Sequence, residues 1–182
     1  MAFIQLMLTF SSPDGRSLLL ETGSKQKLAF YPAKAASGAL NFFAKPEETP
    51  GKDTISWPGE YDMGGVSIRG IGQSDGGHVS FVIEAEGVRI AILSAPLQEW
   101  SDHDLGLLGD VAVMAIQGDD PKIAQKVIEE VDPRVIIALA SEKSSAADVL
   151  KVVGAVGTAA VPEWKLKGGL PAEGRQVIVL ES

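Results

Sequence analysis

Near residue 100 the chain changes its hydrophobic rhythm, and that change limits the folds open to it. Before it, apolar residues come in strand-length runs parted by glycine and proline turns. Ser11-Ser12-Pro13-Asp14-Gly15 separates a run over 3–10 from a second over 16–22. Such a cluster of turn formers closes a hairpin. Residues 27–31 read as a third strand. Residues 54–57, 66–71, 79–84 and 88–93 read as four more. Gly64-Gly65, Ser74-Asp75-Gly76-Gly77 and Glu86-Gly87 mark the turns between them. The stretch 33–43 stays open between loop and short helix, with Leu40, Phe42 and Phe43 at its end.

After the change, buried apolar runs alternate with amphipathic helices. Residues 111–116 and 135–139 are continuously apolar, as expected of strands covered on both faces. Asp120-Pro121 opens a helix with an apolar stripe of Ile123, Val127, Ile128 and Val131, and Asp132-Pro133 ends it. Residues 101–108 and 145–153 read as two further helices, and 177–180 as a last strand. Ser101 and Asp104 have a capping-box-like spacing. A β-rich half followed by a mixed half makes the class α+β. No linker divides the chain, so 1–182 is read as one domain.

Composition removes several functions. A chain of 182 residues buries roughly 70% of its unfolded surface, so it needs no staple. It has no cysteine, which excludes disulfides and thiolate metal sites and agrees with a cytoplasmic location. The net charge is −8 and the 16 Lys and Arg are scattered. Nucleic acids and anionic membranes need a cationic face, so neither is an expected partner. The apolar start MAFIQLMLTF has no basic residue before it and is too short to span a bilayer. It reads as a first strand.

Four stretches occur in a telling order. They are WPGEYDMGGVSIRGI (57–71), VSFVIEAEGVRIAIL (79–93), VIEEVDPRVIIALAS (127–141) and LKGGLPAEGRQVIVL (166–180). The ordered set resembles small zinc-dependent-hydrolase-like members of the metallo-β-lactamase superfamily. The resemblance is clearest over 54–140. It implies an αββα sandwich, with two mixed sheets packed together and helices outside. It also implies an HxHxDH ligand motif upstream of the Pro58-Gly59-Glu60-Tyr61 turn, a bridging aspartate after the strand over 89–93, and a histidine after the strand over 135–139. The matching positions hold the apolar and hydroxylic stretch 31–43, Ala95 and Ala140. Zinc takes about three or four nitrogen, sulfur or carboxylate ligands. Without them there is no activated hydroxide and no Lewis acid.

Other candidates are weaker. The chain has two histidines, His78 and His103. Asp102, His103, Asp104 and Asp110 form the best local metal set, yet neighbours on a helix point about 100° apart. Asp102-His103-Asp104 therefore reads first as an exposed helix start, and Asp110 as a turn residue. His78 reads as a surface residue of a turn. Glu60 and Tyr61 read as structural parts of the Pro58-Gly59 turn. Ser24 and Lys27 have an SxxK spacing but lie between strands. Gly70 and Gly72 begin a GxG that lacks its third glycine and its helix. Trp57, Trp100 and Trp164 read as packing residues, and two exposed together would mark a partner surface.

Two functions remain. The first is a catalytically inactive metallo-β-lactamase-like module that binds or assembles with protein, without cofactor. A homo-oligomer is expected from the apolar first strand and the Ala- and Phe-rich stretch after Tyr31. The alternative is a metal-dependent hydrolase with a relocated site built on His103 and its neighbouring aspartates.

Overall fold

A computed structural model describes residues 6–74 and 76–182. The chain runs β1 (Met7–Ser11), β2 (Leu18–Glu21), β3 (Lys27–Phe30), β4 (Leu40–Phe42), β5 (Thr54–Ile55), β6 (Gly59–Met63), β7 (Val66–Gln73), β8 (His78–Ala85) and β9 (Val88–Ile92). There follow α1 (Asp102–Leu108), β10 (Val113–Gln117), α2 (Pro121–Val131), β11 (Val135–Leu139), α3 (Ala146–Val153), β12 (Ala160–Val161), β13 (Trp164–Lys167) and β14 (Gln176–Leu180). Of the first run, residues 3–5 lie outside the described residues, as does Asp75 in the turn before β8.

The strands form two sheets. The smaller has the order β13-β1-β2-β3-β4-β5, and the larger β12-β14-β11-β10-β9-β8-β7-β6. Both mix parallel and antiparallel pairs. Period-two alternation sorts each strand's side chains between faces. Leu8 and Phe10, Leu18 and Leu20, and Leu28 and Phe30 meet Phe81, Ile83, Ile90 and Ile92 in the core between the sheets. Phe42 sits at the centre of that core, with its ring 4.5 Å from Phe30 and 5.0 Å from Phe81.

The parallel strands β10 and β11 are buried on both faces, which explains their unbroken apolar runs. Val113 and Ala115 point between the sheets, while Met114 and Ile116 point at the helices. All three helices contribute to that second apolar layer on the larger sheet. Their ends follow the local chemistry expected of them. Asp120 accepts from the N–H groups of Lys122 and Ile123, both at 3.1 Å, and left-handed Asp132 ends α2. Ser145 and Asp148 form a capping box on α3.

Over the smaller sheet the chain takes another course. Residues 32–39 are turns, not a helix. The Asn41 side chain accepts from the Ala36 N–H at 2.7 Å and donates to the carbonyls of Ala36 and Ala39, each at 3.1 Å. Those bonds fold the segment onto β4. Of the Ala- and Phe-rich stretch, Phe42 is buried in the core and Phe43 is half-buried, while Ala33 and Ala35 stay exposed.

The Pro58-Gly59-Glu60-Tyr61 segment also differs from its expected turn. From Gly59 it is the edge strand of the larger sheet, paired with β7 across Gly64-Gly65. The GxG of β7 has a packing purpose here. A Cβ on Gly70 would lie 2.9 Å from the Trp57 carbonyl oxygen, and one on Gly72 would lie 2.9 Å from the Pro58 ring. The two glycines let the 57–58 segment cross β7 closely as the chain passes from one sheet to the other.

Candidate functional site

The chemically loaded part of this sandwich is the corner where β8 and β9 part. Their pairing stops at Phe81 and Ile92, although β8 begins at His78. Backbone groups at such a break need other partners. Val79 donates its N–H to the Ala44 carbonyl at 2.7 Å, across from the smaller sheet. Tyr31 follows β3 with a φ of 55°, a left-handed conformation uncommon for a bulky residue. The kink sends its ring into the corner beside Phe81, at 6.2 Å between centroids. Its hydroxyl lies 2.8 Å from the Ile92 carbonyl oxygen and 3.2 Å from that of Val79, so one proton is shared between two acceptors.

Around this corner lies a buried polar set. Ser80 donates to the Gln73 side chain at 3.2 Å, and its oxygen accepts the Ser94 N–H at 3.0 Å. Asp119, beyond β10, accepts the Leu97 N–H at 3.0 Å through Oδ2. Its Oδ1 and the Oε1 of buried Gln117 have no partner among the described residues. Burial pushes the Tyr31 phenol far above its ordinary value. Tyr31 is therefore a neutral hydrogen-bond donor and cannot serve as a base or nucleophile near neutral pH.

The residues singled out from the sequence fall elsewhere. Asp102 and His103 are exposed at the first turn of α1, Asp104 is half-buried, and Asp110 is exposed beyond the helix. Ser101 caps that helix by accepting the Asp104 N–H at 3.1 Å. Among the described residues no three His, Asp or Glu side chains gather within reach of one metal ion. His78 is not in the turn but begins β8, half-buried, and its Nδ1 has no partner among the described residues. Ser24 bonds Thr22 in an exposed turn, 3.0 Å away, and Lys27 is exposed. Trp100 is buried against the helix layer, and Trp164 packs on Phe10 at 5.2 Å. Trp57 alone of the three is well exposed, at 49%.

Glu60 is bound into a charge network on the outer face of the larger sheet. It pairs with Arg69 at 2.5 Å, and Glu84 lies 3.5 Å from Arg89. Both arginines reach the last carbonyls of α1, at Leu107 and Leu108. Guanidinium groups there complement the helix dipole. The Tyr61 hydroxyl donates to the Trp57 carbonyl at 2.8 Å. Glu60 and Tyr61 thus tie the edge strand to β7 and to the segment before it. Tyr31, Gln117 and Asp119 were not singled out from the sequence. The only signal available for Tyr31 was its place at the start of the stretch aligned with the ligand loop.

The layered order of these elements can be compared with known proteins. No family model and no curated protein sequence matches the chain. Solved structures do. A Thermotoga maritima protein assigned as a Zn-dependent hydrolase of the metallo-β-lactamase superfamily superposes with a TM-score of 0.73 at 19% identity, over 94% of this chain and 97% of that one. The chain has the metallo-β-lactamase fold. YhfI of Bacillus subtilis, a metallo-β-lactamase-fold protein, matches with a TM-score of 0.59 at 7% identity, over 88% of this chain and 99% of that one. The CmlA β-hydroxylase E377D mutant matches with a TM-score of 0.59 at 9% identity, over 92% of this chain and 54% of that one.

Zinc is the group this fold brings to mind, and the residues present do not fit it. The ends of β9, β10 and β11 lead into Ser94-Ala95, Gly118-Asp119 and Ala140-Ser141. Asp119 is the one carboxylate in that set, and one of its oxygens is held by Leu97. The Ala140 N–H is taken by the Gly15 carbonyl at 2.8 Å, which brings the first hairpin turn over that position. A methyl group and an amide cannot replace imidazole in a zinc site.

Proposed function

We propose that this chain is a metallo-β-lactamase-fold module that works by binding or assembly, without metal-dependent hydrolysis. The observation carrying this reading is the closed corner. Tyr31, from the stretch aligned with the ligand loop, and Ala44, just after it, supply the hydrogen bonds where β8 and β9 part. A phenol bonded to two main-chain carbonyls leaves that space filled and uncharged. Polar atoms that remain nearby, Gln117 Oε1 and Asp119 Oδ1, are acceptors without an activated nucleophile beside them.

In this reading the module works in the cytoplasm with protein partners and not with nucleic acid or membrane. The net charge of −8 supports the second point. Among the described residues no helix is long and apolar enough to cross a membrane. The relocated site on His103 gains no support, because its aspartates are spread over an exposed helix start and the loop beyond.

Metal content of untagged protein, purified without chelators, tests the proposal, together with turnover of a lactam and a phosphodiester. The expected result is far less than one metal per chain and no turnover. One or two zinc ions per chain with hydrolysis would overturn it. Loss of that zinc in His103→Ala would then point to the relocated site.

A further inference from the structure

Among the described residues the two sheets have four outer edges, and they differ sharply. β5 and β12 are two residues long, too short to template another strand. β6 and β13 are longer, at five and four residues. Unpaired strand edges invite pairing with another chain, and charge on an edge blunts that pairing unless the facing edge carries the opposite sign. Here the two long edges carry opposite charge, with Glu60 also paired to Arg69 and Lys165 to Glu163 at 3.1 Å within the chain. β6 reads Gly59-Glu60-Tyr61-Asp62-Met63, and β13 reads Trp164-Lys165-Leu166-Lys167. Like charges directly opposite one another destabilise a strand pair, so β6 repels a second β6 and β13 a second β13. β6 against β13 is the pairing left.

The backbone agrees with the charges. A two-residue turn joins β6 to β7, so Met63 and Val66 exchange hydrogen bonds, and Tyr61 and Gly59 do so in alternation. Glu60 and Asp62 therefore turn their N–H and C=O groups to the free edge. At β13, Gly168 donates to the Leu6 carbonyl at 3.2 Å, which makes that opposed pair a bonded one. Leu166 and Trp164 follow it in alternation toward β1. Lys165 and Lys167 turn their backbone groups to the free edge. The residues with free backbone groups on each strand are thus the charged ones.

An antiparallel match then sets Glu60 across from Lys167 and Asp62 across from Lys165, each pair hydrogen-bonded through the main chain. Tyr61 falls across from Leu166. Met63, 39% exposed in the single chain, falls across from Trp164. Both edges keep their charges on the outer face of their sheet and their apolar residues toward the sandwich interior. The two edges also lie on opposite sides of the molecule. The larger sheet ends in β6 on one side, and on the other in β12, which a two-residue link joins to β13.

We infer that β6 of one copy pairs with β13 of a second copy, so that the chain assembles head to tail through its acidic and basic edges. This names the partner within the assembly function proposed above and rests on that reading. Such an interface is heterologous, so it closes into a ring or extends as a filament. It is weakened by salt, because its opposed charges lie at the solvent-exposed rim.

Charge exchange tests it. The variants Glu60→Lys/Asp62→Lys and Lys165→Glu/Lys167→Glu are made separately, with circular dichroism and thermal melting as folding checks. Sedimentation velocity at rising concentration reads the mass. The wild-type protein is expected to show species larger than a monomer at low salt and to lose them at about 1 M salt, where the screening length is roughly 3 Å. Each variant alone is expected to stay monomeric, since its two edges then carry the same sign. Mixed in equal amounts, the variants are expected to regain the wild-type species, because every edge again meets its opposite. Asp62→Pro removes a free-edge N–H without touching a β7 bond, and it is expected to block assembly if the lysine variant fails to fold. A monomeric wild type at all concentrations would overturn the inference, as would variants that assemble unmixed or mixtures that stay monomeric. Zinc or hydrolysis in an assembling protein would instead overturn the non-hydrolytic reading and leave the edges standing.

Discussion

Replacing Tyr31 by Phe removes one oxygen and leaves the ring beside Phe81. The lost hydroxyl serves the carbonyls of Ile92 and Val79, at 2.8 and 3.2 Å, in a partly buried corner. A buried acceptor left without its donor costs about 1–3 kcal/mol. For a domain of this length that lowers Tm by roughly 2–12 °C, at about 2–4 °C per kcal/mol. Calorimetry at pH 7 on both proteins measures it directly. The pH dependence gives a second readout. Burial raises the folded-state value of this phenol, while the unfolded chain keeps its ordinary value of about 10. The unfolded state therefore releases a proton first as pH rises. The contribution of Tyr31 to stability is whole below about pH 10 and falls above it by about 1.4 kcal/mol per pH unit. The Phe variant is expected to lack that part of the alkaline fall. What remains in it includes Tyr61, whose phenol burial also pushes up. A variant that melts within about 0.5 kcal/mol of wild type at pH 7, with an unchanged alkaline limb, would refute this account of the corner.

Gly70→Ala puts a methyl group 2.9 Å from the Trp57 carbonyl oxygen and 3.1 Å from both Phe81 and Val79. It is expected to cost about 1–3 kcal/mol in urea unfolding, with no change of net charge to confuse the comparison. Asp14 holds the first hairpin turn by accepting from the N–H groups of Arg16 and Ser17 at 2.9 and 2.7 Å. Partial burial opposes its ionisation, but those bonds and the Ser17 hydroxyl hold its carboxyl below the usual value. Its stabilising effect is therefore present above about pH 3.9 and is lost as pH falls through the lower folded value. Asp14→Asn is expected to melt below wild type at pH 7, with the gap closing on acidification, as a pH series of thermal melts would show.

Much of the second half was legible because local and long-range chemistry agree there. Asp120-Pro121 begins a helix by its own capping, and 135–139 is apolar enough to be a strand in any buried setting. The misreadings lie where a distant partner decides. Nothing local makes 40–42 a strand. It becomes one by lying in parallel between β3 and β5, while Asn41 ties down the turns before it. The Gly59–Met63 segment, expected as part of a turn, alternates charged and apolar residues from Glu60 onward. That period of two was a usable signal for an edge strand. The same holds for Trp164-Lys165-Leu166-Lys167. The GxG of β7 had no local explanation, because its reason is the 57–58 segment crossing above it.

The corner ties these points to function. Where β8 and β9 part, the fold has an opening that must either hold a ligand or be closed by the chain itself. Ala95 and Ala140 bring no donor side chain to it, and Tyr31 supplies the hydroxyl that the parted strands require. Without Tyr31 the carbonyls of Ile92 and Val79 would lose their side-chain donor. Exposed charge of regular spacing lies on the sheet edges as well as on α2, with Glu60 and Asp62 on β6 and Lys165 and Lys167 on β13. The head-to-tail pairing proposed above rests on those two rows, so reversing the sign of one row is the change that tests it most directly.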